Sequence, residues 1–488
     1  MSGAKTTVQK KNALKVLLVG AECVPFVKTG GLADVMGTLP AHLKAMGADV
    51  RVMLPKHGII KHEYGDQLKC LATFYVQLGW RNQYVGVETL QKDGITYYFI
   101  DNEYYFYYSV YKGGEAELEQ YAYFSRAVIE ALPAIGFIPD VIHVNDWHTA
   151  MIPMLLKTQY GGRPQEHIKT VLTIHNLQYQ GKCSFAFMNH FLGVPERFFT
   201  YEYVEAYGDA NFLKAGIVFA DKITTVSPTY AQEIRNSFFG CGLEGILQKR
   251  GDDLVGIVNG INTAEFDPEN DPYIKHPYSH TDLAGKKACK QDLMDVFQLS
   301  VSPDTPIVSM VTRMTEQKGL DLVKRVLEEL LHEDMAFIIL GTGDMLYQDY
   351  FHYIAEKYPD NSGVYIAYGN ELAHKIYAGS DLFLMPSHFE PCGISQMIAQ
   401  RYGTLPVVRE TGGLKDTVTP YNKYTGEGDG FSFANYNAHE MKSVLELAMD
   451  AIRDPKTHRK LMVHAMQKDN SFETSAKRYL EIYRKLKK

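Results

Sequence analysis

Three charged residues in the second half of the chain could act on a phosphorylated sugar. Arg313 and Lys318 follow the apolar run 306–311, where a predicted strand gives way to a helix. Two cations there can neutralise a leaving diphosphate, and one such preorganised partner is typically worth about 3 kcal/mol in the transition state. Glu390 stands in a turn restricted by Pro391 and Gly393, so its carboxylate could bind sugar hydroxyls or an oxocarbenium-like charge. For the two cations, a solvated pair at a helix start is the plain alternative.

Two glycine pairs precede predicted helices and form candidate anion-binding loops. They lie in Lys28-Thr29-Gly30-Gly31 and in Thr411-Gly412-Gly413. Adjacent glycines let backbone N–H groups approach an anion closely, and the following helix start adds a favourable dipole. Lys28 contributes a point charge, and Gly393 ahead of Ser395 offers a third loop of this kind. For the Lys28 loop, a plain turn is the alternative.

Polar residues also stand at strand ends in the first half of the chain. The segment His143-Val144-Asn145-Asp146-Trp147-His148 is one group, and His175-Asn176 is another. Histidines and an aspartate this close could indicate a metal site. However, the segment contains no H-x-x-x-H pair and no D-x-D triplet, the spacings that a metal site would favour. We therefore expect these residues to bind a ligand without a metal.

Buried strands alternating with helices must position these groups. Apolar runs that predict strands lie at 15–20, 50–54, 141–144, 170–174, 222–226 and 254–258, and again at 306–311, 336–340, 364–367, 382–385 and 406–408. Polar or small residues follow these runs, and the carboxyl ends of parallel strands are where such sheets bind ligands. The pattern predicts two doubly wound α/β domains that face each other across a cleft.

Domain boundaries follow from composition. The stretch 262–280 is rich in Asp, Pro, Asn and His and is predicted to be a linker. We expect a polar extension at 1–12, a first domain at 13–261 and a second domain at 262–469. The amphipathic segment 470–488 is predicted to be a helix that packs back on the first domain.

Composition excludes several classes of protein. The 488 residues carry a net charge of −7, which does not favour sequence-independent binding to nucleic acid or to anionic membranes. No apolar run reaches the roughly 18 residues of a membrane span. The six cysteines are far apart and include no CxxC pair, so we expect a reducing cytoplasm. Tyrosine is abundant, with 33 residues against 2 tryptophans, and this suits sugar faces as well as ordinary packing.

A nicotinamide-dependent dehydrogenase is the obvious rival for alternating strands and helices. Its fingerprint is G-x-G-x-x-G after a strand. The nearest match, Gly341-Thr342-Gly343, has Leu346 at the third glycine position, and the chain contains no Walker A sequence. Both nucleotide-binding classes are therefore disfavoured.

Taken together, the motifs resemble those of glycosyltransferase family five, the bacterial glycogen synthases and plant starch synthases. The matching segments are KTGGLADV (28–35), HVNDWH (143–148), TIHNLQYQG (173–181), FLKAGIVFADKITTVSPTYAQEI (212–234), GIVNGIN (256–262), TRMTEQKGLDL (312–322), SHFEPCGISQ (387–396) and YGTLPVVRETGGLKDTV (402–418). The resemblance implies a GT-B fold, with two Rossmann-like domains around a central cleft. It also implies retaining transfer of glucose from ADP-glucose to the non-reducing end of an α-1,4-glucan, with no metal or other cofactor.

The resemblance also implies a role for each candidate residue. Catalytic roles fall to His175 near the glucose 6-hydroxyl, Glu390 on the glucose, and Arg313 and Lys318 on the diphosphate. Substrate-binding roles fall to Lys28, Gly31, Asp34, Asp146, Asn259, Tyr368, Cys392, Gly393, Thr411, Gly412 and Gly413. Among these, Tyr368 is expected to stack on adenine.

The same family pattern breaks between Tyr97 and Tyr123. Nine tyrosines fall in this stretch, and tyrosine or glutamine stands near positions where the family carries arginine. The pattern therefore does not identify the residues that contact the acceptor. The sequence does not give the oligomeric state either. One alternative is a retaining transferase that uses UDP-glucose or another acceptor. The other is a glucan-binding protein without catalysis.

Overall fold

Most of the apolar runs form buried parallel strands in the computed structural model, which describes residues 13–488. The extension predicted at 1–12 lies outside the described residues. By its internal contacts the chain divides into two units. Unit 1 contains the described residues up to Val226, then 231–259 and 472–488, and unit 2 contains 227–230 and 260–471. The boundary therefore follows Asn259, two residues before the predicted boundary between residues 261 and 262.

Unit 1 is built on a nine-stranded sheet and a small three-stranded sheet. Its strands are β1 (Lys15–Val19), β2 (Asp49–Pro55), β3 (Lys69–Leu78), β4 (Arg81–Lys92), β5 (Ile95–Asp101), β6 (Val141–Asn145), β7 (Lys169–Ile174), β8 (Lys182–Cys183), β9 (Glu205–Ala206), β10 (Asp209–Asn211), β11 (Lys222–Thr225) and β12 (Leu254–Gly256). The large sheet has the order β12-β11-β7-β6-β1-β2-β5-β4-β3, and the small one has the order β8-β10-β9. In the large sheet, β12 to β5 pair in parallel, whereas β5, β4 and β3 pair antiparallel.

Helices cover the large sheet because its central strands are apolar on both faces. Those that begin before residue 260 are α1 (Gly31–Ala45), α2 (Gly58–Tyr64), α3 (Glu103–Phe106), α4 (Gly114–Ala134), α5 (Met151–Gln159), α6 (Phe185–Leu192), α7 (Phe212–Phe219), α8 (Pro228–Glu233) and α9 (Glu244–Lys249). In β1, Val16 to Val19 are fully buried.

Unit 2 has a single six-stranded parallel sheet. Its strands are β13 (Ile307–Val311), β14 (Ala336–Leu340), β15 (Ser362–Tyr365), β16 (Leu382–Met385), β17 (Leu405–Arg409) and β18 (Phe431–Phe433), in the order β15-β14-β13-β16-β17-β18. Its helices are α10 (Ala284–Phe297), α11 (Leu320–Leu331), α12 (Met345–Lys357), α13 (Asn370–Gly379), α14 (Ser395–Arg401), α15 (Gly412–Thr417), α16 (Ala438–Arg453) and α17 (Pro455–Gln467). The predicted strand at 364–367 is shifted, because Phe337 of β14 pairs with Ser362.

The last helix, α18 (Phe472–Lys487), belongs to unit 1 by its contacts. Phe472, Ala476, Tyr479 and Tyr483 recur at helical spacing and are buried in the same core as Leu39 of α1. This apolar stripe explains why the chain returns to its first unit after completing the second.

The tyrosine-rich stretch between residues 97 and 123 has two parts. Five of its tyrosines are buried in unit 1, namely Tyr97, Tyr98, Tyr105, Tyr121 and Tyr123. Three are exposed, namely Tyr104, Tyr107 and Tyr108, and the ninth, Tyr111, is half-buried. Packing therefore accounts for more than half of the excess that the sequence shows here. Among the described residues, no helix is long and apolar enough to cross a bilayer.

Candidate active site

In unit 2, Lys318 and Glu390 form an ion pair at the carboxyl ends of two neighbouring strands. The Lys318 ammonium lies 2.6 Å from Oε2 of Glu390, and the Ser387 hydroxyl donates to the same oxygen at 3.0 Å. Lys318 follows β13 and Glu390 follows β16, and these two strands are adjacent in the sheet. The glutamate side chain is only 8% exposed and the lysine side chain 17%, so water screens this pair weakly.

Gly319 allows this contact by letting two backbones approach closely. Its φ is +69°, and a Cβ atom there would lie 2.0 Å from the carbonyl oxygen of Pro386. The two loops are joined again at Gln317, two residues before Gly319. Gln317 donates its side-chain amide to the carbonyl of Phe389 and accepts the N–H of His388 at its own carbonyl. The start of α11 is therefore fixed against the segment that carries Glu390.

The second glycine pair packs against the Glu390 loop. A Cβ atom at Gly412 would lie 2.0 Å from the Glu390 carbonyl oxygen, and one at Gly413 would lie 2.1 Å from that of Cys392. The N–H of Gly413 donates to the Glu390 carbonyl at 3.1 Å. Glycine is required here for close packing, and the Gly413 N–H, which we predicted to be available for an anion, has an internal acceptor. Thr411 and Cys392 are buried beside the pair.

Arg313 and Tyr368 are the exposed members of the unit 2 set. Arg313 follows β13, and its guanidinium forms no salt bridge within the part of the chain that the structure describes. Tyr368 is 77% exposed in the turn between β15 and α13. Both side chains are thus accessible to a ligand at the carboxyl edge of the unit 2 sheet.

In unit 1, Asp146 occupies a strained position at the end of β6. Its φ is +56°, a region that costs a residue with a side chain of order 1–3 kcal/mol and is concentrated at functional sites. Its Oδ1 accepts the backbone N–H of His175 at 2.7 Å and that of Asn176 at 3.4 Å. Burial raises the pKa of Asp146 to about 7, although these N–H groups oppose the shift.

His175 lies beside Asp146 at the end of β7. Its Nε2 is 2.9 Å from Oδ1 of Asn145, and its ring is partly exposed. Burial lowers the pKa of His175 to about 3, so the imidazole is neutral at physiological pH. A neutral imidazole can exchange hydrogen bonds with sugar hydroxyls, whereas it offers no cation to a phosphate.

The first glycine loop is held by an acidic residue that was not predicted from the sequence. Glu22 follows β1, is 3% exposed, and accepts the N–H of Thr29 and, at 3.3 Å, that of Gly30. Burial raises its pKa, although the Thr29 contacts oppose the shift. Two of the N–H groups predicted to meet an anion therefore already bind a carboxylate of the protein.

Lys28 and Asp34 form a second ion pair at this loop. Their closest atoms are 2.8 Å apart, and the two side chains are 42% and 26% exposed. Asp34 lies in the first turn of α1, which begins at Gly31. Burial raises the pKa of Asp34 more than Lys28 lowers it. Lys28 is the exposed partner and the one accessible to a ligand.

Asn259 lies at the end of unit 1, after β12. It is 5% exposed, and its Oδ1 has no hydrogen-bond partner within the described residues. A buried amide oxygen without a partner costs about 1–3 kcal/mol, so such an atom is a candidate acceptor for a ligand hydroxyl. Glu22, Asp146, His175 and Asn259 follow β1, β6, β7 and β12, which all run in parallel and end at one edge of the sheet.

The remaining histidines of the first-half motif have structural partners. His143 places its two ring nitrogens 2.6 Å from the Tyr483 hydroxyl and 2.5 Å from the Thr173 hydroxyl. His148 lies 3.7 Å from Glu117. In residues 13–488, no three His, Cys, Asp or Glu side chains are grouped as a metal site would require.

The structure therefore brings the predicted residues together in pairs within each unit. Lys318 meets Glu390, and His175 meets Asp146. Four residues of these sites were not predicted from the sequence, namely Glu22, Asn145, Ser387 and Tyr111. The Tyr111 hydroxyl lies next to the Glu22 carboxylate. Asn145 was inside a quoted motif, and a lone glutamate between an apolar strand and a glycine loop was the available signal for Glu22.

Comparison with known proteins finds family models that match both units and relatives that match along nearly the whole chain. The starch synthase catalytic domain family matches residues 15–249, and the glycosyl transferases group 1 family matches residues 295–465. A glycogen synthase of Bacillus cereus (strain B4264) is 50% identical over 97% of this chain and 100% of its own length. That of Geobacillus thermodenitrificans is 49% identical over 97% of this chain and 98% of its own.

Solved structures agree with this similarity. The catalytic domain of starch synthase IV from Arabidopsis thaliana, bound to ADP and acarbose, has a TM-score of 0.90 and 31% identity, covering 98% of this chain and 100% of that one. Sucrose-phosphate synthase from Thermosynechococcus elongatus has a TM-score of 0.62 at 17% identity, covering 97% and 99%, which supports the fold alone. The predicted GT-B fold is confirmed.

Proposed function

The chain belongs to the glycogen and starch synthase family, and from that membership we propose that ADP-glucose is the donor whose glucose it adds to a glucan. The family's activity is retaining glucosyl transfer to the non-reducing end of an α-1,4-glucan, and the chain is a glucosyltransferase of this kind. The related starch synthase was solved with ADP, and this supports adenine as the base of the donor.

One observation carries the proposed donor site, namely the Lys318–Glu390 pair with Arg313 exposed on the same strand end. A sugar diphosphate needs cations for the phosphates and an acceptor for the sugar hydroxyls. Arg313 supplies a planar, permanently charged donor fork, and Lys318 supplies a point charge. We infer that both bind the diphosphate, that Glu390 binds the glucose, and that Tyr368 stacks on adenine.

The buried pair also bears on how configuration is retained. An ammonium 2.6 Å from Oε2 of Glu390 and a hydroxyl on the same atom reduce the nucleophilicity of that carboxylate. This favours attack by the acceptor on the face that the diphosphate leaves, with a phosphate oxygen taking the acceptor's proton. Glu390 then stabilises positive charge on the sugar. Isolation of a covalent glucosyl–Glu390 adduct would contradict this part of the proposal.

In unit 1 we propose that neutral and acidic groups bind sugar. His175 binds the 6-hydroxyl of the transferred glucose, and Asp146 and Asn259 contact sugar hydroxyls. Lys28 and Gly31 meet the donor's phosphate and sugar, with Asp34 as the partner of Lys28. The neutral His175 and the partnerless Oδ1 of Asn259 suit hydroxyl groups.

The remaining proposals concern what accompanies the reaction. We propose that no metal takes part, because Arg313 and Lys318 provide the charge that a metal would otherwise supply to the diphosphate. We also propose a cytoplasmic enzyme, which the six free cysteines support. Nucleic acid and membranes are not proposed partners.

Release of ADP from ADP-glucose in the presence of glycogen tests the proposal. We expect steady turnover that requires both substrates. In Glu390→Ala the turnover rate should fall by orders of magnitude while the protein stays folded. Binding of glycogen without turnover would instead support a glucan-binding protein. Unchanged turnover in Glu390→Ala would remove this residue from the site.

A further inference from the structure

The side-chain amide of Asn145 has a single possible orientation. Its Nδ2 lies 3.0 Å from the carbonyl oxygen of Val19 and 3.3 Å from the sulfur of Met36. A carbonyl oxygen and a thioether can only accept hydrogen bonds, so the amide nitrogen must face both of them. The amide oxygen therefore faces the remaining neighbour, Nε2 of His175, at 2.9 Å.

The backbone of Asn145 is fixed as well. Its N–H donates to the Thr149 hydroxyl at 2.7 Å, and that hydroxyl donates to the Asn145 carbonyl at 2.8 Å. Asn145 is 1% exposed, and the strained Asp146 follows it directly. A residue held at its side chain and at its backbone transmits its orientation to the group it binds.

This orientation fixes the tautomer of His175. Because an amide oxygen only accepts, Nε2 of His175 must carry the proton, and Nδ1 is left with a lone pair. The charged and titratable neighbours do not change this. Asp146 accepts the backbone N–H of His175, Glu22 acts on Asp146, and His143 is bonded to two hydroxyls. The lowered pKa of His175 keeps the ring neutral.

We propose that Asn145 is a positioning residue that holds His175 as a hydrogen-bond acceptor and thereby selects donor sugars carrying a hydroxyl at the position His175 contacts. The selection rests on the proposed function, which puts the glucose 6-hydroxyl there. A 6-deoxy sugar would leave Nδ1 desolvated and without a partner. A C6 carboxylate, as in a glucuronosyl donor, would place its oxygens against a lone pair.

The magnitude follows from one unmade hydrogen bond. Leaving a buried acceptor without a donor costs about 1–3 kcal/mol, which corresponds to roughly a 5- to 150-fold loss in kcat/KM. We therefore expect ADP-6-deoxyglucose to be used about 5- to 150-fold less efficiently than ADP-glucose by the wild-type enzyme. The discrimination should fall towards unity when Asn145 no longer directs the ring.

The tautomer is measured first, on the full-length chain labelled with ¹⁵N-histidine. Long-range ¹⁵N–¹H correlations show which ring nitrogen of His175 carries the proton, and we expect Nε2. A proton on Nδ1 would overturn the proposal. This measurement needs neither substrate nor variant, so it stands apart from the proposed function, which fails separately if ADP-glucose is not turned over.

Variants then test whether Asn145 causes the selection. In Asn145→Leu we expect kcat/KM for ADP-glucose to fall while the preference over ADP-6-deoxyglucose is largely lost. In Asn145→Asp the new carboxylate should raise the pKa of His175, so that activity becomes pH-dependent between pH 5 and 8 as the ring gains a proton. Asn102→Asp is the matched control, because Asn102 is also buried in unit 1 but bonds Tyr84 and Tyr104.

An unchanged preference in a folded Asn145→Leu enzyme would overturn the positioning role. An unchanged pH profile and an unchanged His175 pKa in Asn145→Asp would do the same. The control should keep the wild-type preference and pH profile, and the proposal fails if the control shifts them as the Asn145 variants do.

Discussion

The Lys318–Glu390 ion pair makes stability and activity separable by mutation. Replacing either partner alone, as Lys318→Met or Glu390→Gln, leaves the other charge in a poorly hydrated position. Removing one member of a buried pair typically costs 3–5 kcal/mol. Because Lys318 is 17% exposed and the Ser387 hydroxyl still serves Glu390, we expect about 3 kcal/mol for Lys318→Met, towards the lower end of that range.

Glu390→Gln keeps an oxygen for the ammonium, so its expected cost is smaller, about 2 kcal/mol. In a domain of 150–250 residues each kcal/mol lowers Tm by roughly 2–4 °C. The unfolding transition should therefore fall by about 6–12 °C in Lys318→Met and by about 4–8 °C in Glu390→Gln. The double variant contains no unpaired charge, so we expect it to recover at least half of the lost stability.

Activity should follow a different pattern. Each single change removes a preorganised charge from the donor site, and we expect kcat to fall about 10²- to 10³-fold. Groups that act as one unit lose their effect together, so the double variant should be no more than about tenfold slower than the worse single variant. Recovered Tm without recovered kcat is the expected signature.

Calorimetry and ADP release on the same four proteins measure both quantities. The reasoning would be refuted by additive losses of Tm in the double variant, because uncoupled residues add. Single variants with wild-type Tm and wild-type kcat would also refute it, since the pair would then contribute to neither property.

Three further changes in unit 1 have defined outcomes. Because the folded pKa of Asp146 is about 7, above its unfolded value near 3.9, the stability linked to its proton is present below about pH 4 and lost as pH rises through 7. Asp146→Asn should remove this pH dependence and raise Tm at pH 8 relative to the wild type. The measurement is Tm against pH for both proteins, and two parallel curves of Tm against pH would contradict the prediction. Glu22→Ala removes the acceptor of the Thr29 and Gly30 N–H groups and should raise KM for the donor roughly tenfold. Glu22→Gln keeps an acceptor oxygen and should retain most of the affinity. Equal KM values for Glu22→Ala and the wild type in initial-rate kinetics would count against this. Tyr483→Phe loses the 2.6 Å contact with His143 and should lower the free energy of unfolding by about 1–2 kcal/mol in urea, with kcat unchanged.

Continuous apolar runs predicted the parallel strands well. The predicted strands at 336–340 and 382–385 coincide with β14 and β16. A strand buried on both faces is a short continuous apolar run, and runs of four or five residues are too short for a buried helix. The antiparallel strands β3, β4 and β5 were not predicted. One face of β3 is exposed around Tyr75, and its polar positions interrupt the apolar pattern.

The motifs did not predict the contacts that the candidate loops make within the protein. Glycine pairs before helices suggested anion-binding loops, yet Gly413 donates to the Glu390 carbonyl and the Gly30 N–H donates to Glu22. Such contacts join segments far apart in the sequence, so spacing alone could not reveal them. The Lys318–Glu390 pair, 72 positions apart, is of the same kind.

The donor nucleotide is the central claim, and a comparison of kcat/KM for ADP-, UDP- and GDP-glucose with glycogen as acceptor tests it most directly. We predict that ADP-glucose has much the highest value and that Arg313→Ala and Lys318→Ala lower it for every donor, because both residues are proposed to bind the shared diphosphate. A higher kcat/KM for UDP-glucose would contradict the account.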